Sequence, residues 1–482
     1  MIVGSLRARR LLPLAIALAL GVPAVDAATI TVTTGGDAGT ASTCTLRQAL
    51  DSANNDSAGS STCTAGSGAD TVDFAANLRN STITLAGQPL SIASDLTLTG
   101  SGQTIDANDL STVMYIDPAA TAYLSDLTLT GGNSFLNPTA GGVAIISPSS
   151  PLKTGGRFAP SAVKRTSPIT HAPSAGEGIY MSRVTVTGNT SKYAGGMLIT
   201  GTYATLYQCT VSNNEATGNA SHIAGGIVAL GAGVVIEDST ISGNTVGAGG
   251  AGSNGAALAY DSFLIFANST VSGNSATGTD YVSGGVSQEA NGAGKYGVAA
   301  LNSTISGNTA TATGTHVTGG VMIGGAEGAG NGYFVNSIID GNTGTVASTK
   351  NIDVVDSPSV VVHSSLLGTE LQTAFTGNGN VFAADPKLGP LANNGGPTLT
   401  RALLPASPAI NAGDNSSTSN LTTDQRGAGF ARIVGPAVDI GAFELQTTAA
   451  PAVLAAPSLS AWAAALLSGL LALFGIAKRR RS

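Results

Sequence analysis

The sequence predicts an all-β fold, a parallel β-helix, on three observations. The first is composition. Charged residues are 10% of 482 and glycine is 65 of 482, against roughly 25% and ~7% in an average soluble domain. Charge this sparse excludes a coiled coil, and 42% hydrophobic content excludes charge-driven disorder. The second is a repeat. Thr185-Val186-Thr187-Gly188-Asn189 recurs as Thr210-Val211-Ser212-Asn213-Asn214, Thr240-Ile241-Ser242-Gly243-Asn244, Thr270-Val271-Ser272-Gly273-Asn274, Thr304-Ile305-Ser306-Gly307-Asn308 and, loosely, Ile338-Ile339-Asp340-Gly341-Asn342. The third is alternation: within each unit Ile or Val points one way and Thr or Ser the other, as in a short strand.

A second strand starts at Gly195-Gly196, Gly225-Gly226, Gly284-Gly285 and Gly319-Gly320, and a third precedes each Asn-Ser-Thr. Three strands per ~30 residues without a helix describe one turn of a β-helix, whereas a propeller blade needs ~40–50 residues and four strands.

The elements follow in chain order. Residues 1–27 read as a signal peptide: Arg7, Arg9 and Arg10, an apolar stretch over 11–24, then the small-residue site Val25-Asp26-Ala27. Export follows. Residues 28–94 form an N-terminal cap and the first turns. Within them Leu46, Ala49, Leu50 and Ala53 share one helical face, with Thr45 or Thr43 as N-cap. Cys44 and Cys63 flank that helix and are the natural disulfide, closing a loop worth ~3 kcal/mol. Cys209 stands where other turns carry Ser239, Ser269 and Ser303, and reads as a small buried side chain.

The coil proper spans 95–387. Stacked rungs place Val186, Val211, Ile241, Val271, Ile305 and Ile339 in one aliphatic column. Asn189, Asn214, Asn244, Asn274, Asn308 and Asn342 stack at the corner, where asparagine accepts a left-handed backbone and its amide bonds its neighbours. Segments 95–100 and 126–131, both Asp-Leu-Thr-Leu-Thr-Gly, read as weaker repeats. Residues 134–178 interrupt the coil with six prolines and the bases Lys153, Arg157, Lys164 and Arg165, the composition of an extended excursion. A module over 388–445, a linker over 446–456 and a C-terminal segment over 457–482 complete the chain. That last segment carries Pro457-Ser458-Leu459-Ser460, a 16-residue apolar run over 462–477 and Lys478-Arg479-Arg480-Arg481. The run is just short of the ~17–25 residues that span a bilayer, with the bases on the cytoplasmic side.

Three stretches carry resemblances. Cys44-Thr45-Leu46-Arg47-Gln48-Ala49-Leu50 resembles the Cys-Ser-Leu-Arg-Glu-Ala-Ile (CSLREA) element that opens many bacterial surface β-helix proteins. Asn394-Gly395-Gly396-Pro397-Thr398, Ser407-Pro408-Ala409-Ile410-Asn411-Ala412-Gly413, Thr423-Asp424-Gln425-Arg426-Gly427 and Asp439-Ile440-Gly441-Ala442-Phe443-Glu444 resemble the choice-of-anchor Q domain. Pro457, Leu459, Ser460 and Trp462 match the IPTL/PEP-CTERM class of sorting signals, while Ala456, Ser458, Ala461 and Ala463 depart from it; a simple tail anchor is the alternative. The resemblance implies a right-handed coil, envelope location and a sorting or processing machinery as partner.

Chemistry is sparse. The four histidines, His171, His222, His316 and His363, form no metal-ligand spacing, so no metal or other cofactor is expected. Removing the seven bases and one acid of both chain ends leaves 14 basic and 27 acidic residues, a net of −13. Such a body repels phosphate backbones and argues against nucleic acid. Hydrolysis of polysaccharides needs two carboxylates ~5–9.5 Å apart; Asp238 and Asp261 are the weak catalytic candidates, with calcium entering only for a lyase. Three residues before the Gly-Gly pairs stand Lys192, His222, Tyr281 and His316. In register they form an outer stripe suited to sugar rings. The expected function is therefore an adhesin-like or structural surface protein binding carbohydrate or another surface, with a polysaccharide lyase or glycoside hydrolase as the alternative.

Overall fold

A computed structural model describes residues 27–134, 139–146, 178–290, 296–324, 330–346, 350–356, 359–375, 378–418 and 421–446. The expected signal peptide, residues 135–138 and 147–177 of the expected excursion, nearly all of the linker, and the C-terminal sorting segment lie outside the described residues. The excursion is shorter than expected, because Val143–Ile145 is a strand of the coil, parallel to Met114–Ile116 and to Met197–Thr200. No helix among the described residues is long and apolar enough to cross a membrane.

The chain is a right-handed parallel β-helix, the sense that parallel crossovers take in general. One rung shows the pattern. Tyr203–Tyr207 lies parallel to Gly233–Glu237, Thr210–Ser212 to Thr240–Ser242, Glu215–Ala216 to Thr245–Val246, Ile223–Ala224 to Ser253–Asn254, and Ile227–Leu230 to Ala257–Tyr260. A middle rung thus has five strand segments rather than three.

The two extra segments build a side lobe. The main core holds Val186, Val211, Ile241, Val271, Ile305 and Ile339, and continues to Leu367. Beside that column, Phe266, Ala300 and Phe334 stack in register, so that large side chains alternate with a small one as close packing requires. A second core, including Leu198, Ile223, Val228, Val246, Leu258, Val282 and Val317, lies on the other face of the Ile227–Leu230 sheet. That sheet is consequently buried on both faces, and its residues read as continuous apolar runs without alternation.

The glycine pairs mark the waist between the lobes. A Cβ on Gly225 would stand 2.5 Å from Thr245 N, and one on Gly226 would stand 3.2 Å from Asn244 Nδ2. None of Gly195, Gly196, Gly225, Gly226, Gly284, Gly285, Gly319 and Gly320 has positive φ; they serve close approach, not turning.

Two expectations need correction. The ladder asparagines do not adopt the left-handed backbone. The residue before each does, with Gly188 at φ 65°, Asn213 at 53° and Gly243 at 64°, which frees the amide to point inward. The two Asp-Leu-Thr-Leu-Thr-Gly segments are not equivalent. Leu96–Leu98 pairs with Ala122–Leu124, one strand earlier in the rung, and Leu127–Leu129 pairs with Gln103–Ile105 across a bulge. Identical alternation cannot tell the two strands of a rung apart.

The cap is the helix Leu46–Asn54, burying Leu46, Ala49, Leu50 and Ala53. Thr45 is its N-cap, accepting from Gln48 N while Gln48 Oε1 accepts from Thr45 N, a capping box. Cys44 and Cys63 form a disulfide. Arg47 grips Asp37 through Nε and Nη2 at 2.8 and 3.0 Å and donates to the carbonyls of Gln88 and Pro89, tying the helix to the first rungs.

At the other end the chain doubles back along the coil's outer face. The column Thr240, Thr270, Thr304, Ile338 and Leu366 is buried beneath residues 398–443. Gln425 inserts between two rungs: its Oε1 accepts from Thr270 Oγ1, and its Nε2 donates to Ser239 O and Thr240 Oγ1 at 3.1 and 3.0 Å.

Candidate functional site

The outer stripe follows from rung register. The pairings Ala194↔Ala224, Ile223↔Ser253 and Val282↔Val317 put Lys192, His222, Gly252, Tyr281 and His316 on successive rungs of the side lobe. Three of the five turn with positive φ, His222 at 64°, Gly252 at 71° and Tyr281 at 53°, while Lys192 and His316 do not. Gly252 shows what the backbone prefers. An imidazole and a phenol held there are strained, and such outliers concentrate at functional positions.

The row resolves into two groups. Tyr281 stacks on His316, centroids 4.8 Å apart at 18°. His316 Nδ1 lies 3.4 Å from Asp353 Oδ2, and its backbone N donates to Asp280 Oδ1. In the other group Glu289 reaches back across Gly252, whose missing side chain leaves the path open, and places Oε2 2.9 Å from His222 Nε2. Tyr260 meets the same imidazole edge-on at 4.8 Å. The hydrogen bond that His222 donates to the Glu289 carboxylate raises the His222 pKa above its ordinary value, against the opposing effect of burial. Burial, with Glu289 and Tyr260 nearby, pushes the Tyr193 phenol up to about 12. Lys192 is exposed at the end of the row. Flat rings and paired donor–acceptor groups along one flank can stack on sugar faces and bond their hydroxyls.

The two weak catalytic candidates are not brought together. Asp261 precedes the strand Phe263–Ala267, while Asp238 follows the strand Gly233–Glu237 paired to it. Some seven strand positions separate the two columns, ~20 Å at the usual rise, beyond the carboxylate spacing of either glycosidase class. Asp238 is also buried: its Oδ1 accepts from Asn268 Nδ2 at 2.7 Å and its carbonyl from Thr398 Oγ1.

The ladder asparagines lie inside the coil at the waist. Each Nδ2 donates to the next Oδ1, from Asn189 through Asn214, Asn244, Asn274 and Asn308 to Asn342, at 2.9–3.0 Å. The row ends beyond its last repeat, on Asn351, whose Nδ2 donates to Glu370 Oε1 at 2.6 Å. A parallel row of Ser239, Ser269, Ser303, Ser337 and Ser365 runs along another corner, each backbone N donating to the next hydroxyl. Cys209 opens it as a fully buried thiol, pushed up to about 12 by burial.

Some polar groups escaped the sequence reading. The module residues Asp424, Arg426, Arg432, Asp439 and Glu444 are all buried. Arg426 pairs with Asp424 and lies between the rings of Phe430 and Phe443 at 4.0 and 3.8 Å. Glu444 accepts from Val434 N and Asp439 N and stands 3.7 Å from Arg432. Burial pushes its carboxyl up to about 7. The motif spelling flagged all of these charged positions but Arg432, yet nothing in it said they would converge. On the uncovered rungs, Arg79, Asp126 and Arg183 line an open polar cavity of about 460 Å³. No group of three or more His, Cys, Asp or Glu able to hold a metal occurs among the described residues.

No protein-family model matches the chain, and no curated protein matches it. Among solved structures it is similar to the crystal structure of pectate lyase Pel9A, at 14% identity and a TM-score of 0.38 over 86% of this chain and 96% of that one.

Proposed function

We propose that the protein is an exported, envelope-held β-helix that binds carbohydrate through the side-lobe row, without turnover. The observation that carries this reading is the strained corner: His222 and Tyr281 occupy positions of positive φ where Gly252 shows the relaxed choice, and both side chains are more than a third exposed. Retention of strained aromatic residues on an exposed flank is economical for recognition and wasteful for packing. Repetition along rungs suits many weak contacts acting together. The CSLREA-like opening, the anchor-Q-like module and the IPTL-like tail support export and envelope retention.

A polysaccharide lyase or hydrolase is the second reading, favoured by Arg183 and Asp126 facing one open groove. One experiment separates the two: the full chain is titrated with a panel of neutral and acidic oligosaccharides, with and without calcium, and chain cleavage is followed in the same samples. Binding that falls about tenfold in Tyr281→Ala, without cleavage, supports recognition. Cleavage overturns it.

A further inference from the structure

A second surface of different chemistry lies on the rungs nearest the cap. Its floor is Thr128 and Thr185 of one outward column, aligned by register and half-exposed. From Thr240 onward the same column is covered by the C-terminal segment, so the floor lies in the part that this segment leaves bare. One wall is the turn at Arg79–Asn80 with the bulge at Gly100–Gly102; the other is the turn carrying Asp126 and Arg183. The volume of this open groove, about 460 Å³, falls within the ~300–1,000 Å³ usual for ligand sites.

The fold does not demand the residues found here. The turn column Asp126, Arg183, Gln208, Asp238, Asn268, Asn302 and Asn336 has φ between 48° and 55° throughout. Asn and Asp, which accept this backbone best, fill these positions except at Arg183 and Gln208, and the column runs on to Ser364 at φ 46°. Arg183 grips Asp126 through Nε and Nη2, each at 2.6 Å, and donates from Nη1 to Ser182 Oγ at 3.3 Å. A guanidinium has five N–H donors, so two remain. Arg79, exposed on the facing wall, forms no ion pair among the described residues. Two guanidinium groups against one carboxylate make a locally positive groove on a body of net charge −13.

We propose that this groove binds an anionic saccharide. Its carboxylate is held by Arg79 and the spare donors of Arg183, and its ring hydroxyls by Asp126, Thr128 and Thr185. Threonine hydroxyls on the floor match sugar hydroxyls, and planar guanidinium groups match carboxylates. This site is independent of the side-lobe row.

The test is calorimetric titration of the full chain with trimannuronate, its methyl ester and inorganic phosphate. Trimannuronate is expected to bind at least tenfold tighter than the ester, and phosphate should fail to displace it. Arg79→Gln should weaken it about tenfold or more, as for a lost bond to a charged group, with the melting temperature unchanged. Arg183→Gln should do the same. Equal affinity for the ester, displacement by phosphate at equal concentration, or an unchanged dissociation constant in Arg79→Gln would each overturn the proposal.

Discussion

Each ladder asparagine uses its whole amide inside the coil. Asn274 Nδ2 donates to Asn308 Oδ1 and to Ile241 O, while its Oδ1 accepts from Asn244 N and Asn244 Nδ2. Asn274→Ala therefore removes four buried hydrogen bonds at once, each worth ~0.5–1.5 kcal/mol net, and leaves Asn244 N without its side-chain acceptor. Urea unfolding is expected to show a loss of about 3 kcal/mol or more; a loss under about 1 kcal/mol would mean that the amides are not coupled. His222 gives a second prediction at this scale. Its pKa, raised by Glu289, should titrate above 6.5 by NMR and fall in Glu289→Gln. The stabilisation from this pair is full below the unfolded pKa and fades as pH rises through the folded one. The asparagine column was readable in the sequence because a recurring residue at recurring spacing must stack if rungs stack. Its backbone assignment was not, because Gly-Asn leaves open which of the two residues takes the turn.

Among elements, the C-terminal module holds the sharpest electrostatic problem. Arg426 and Arg432 face Asp424, Asp439 and Glu444 in a buried site, three acids against two bases. Glu444 is pushed up to about 7 by burial. Asp439 is raised for the same reason. The folded state then binds more protons than the unfolded one between about pH 4.5 and 7. Stability is full below that window and declines across it as pH rises, by ~3 kcal/mol. Melting followed from pH 5 to 8 should show the decline, and Glu444→Gln should flatten it; a wild-type curve already flat would contradict the assignment. The strands of this protein were readable from alternation. The side lobe was not, because short segments such as Ile223–Ala224 have no period, and Gly-Gly spells a turn as readily as a close approach. The docking of Gln425 on Thr240 and Thr270 joins residues 155–185 apart, a distance that no local pattern reports.

As a whole, the molecule is a one-dimensional stack whose rungs touch only their neighbours, so its ends decide where unfolding begins. The N-terminal end is closed by the helix Leu46–Asn54 and the Cys44–Cys63 disulfide. Replacing both cysteines by serine should cost about 3 kcal/mol in the loop-entropy account. Hydrogen exchange should accelerate first over residues 28–106, with the rungs beyond Thr240 unchanged; uniform acceleration would show that the stack melts as one unit. The closing segment adds a different consequence. Its side chains meet a fixed succession of laps, Thr398 at Asp238, Gln425 at Thr240 and Thr270, Ala442 at Thr304, and Asp414 at Asn336. It works as a ruler laid along the solenoid: laps before residue 238 can be gained or lost in evolution without disturbing any graduation, whereas excising one complete lap between 240 and 336 would leave every later mark misaligned.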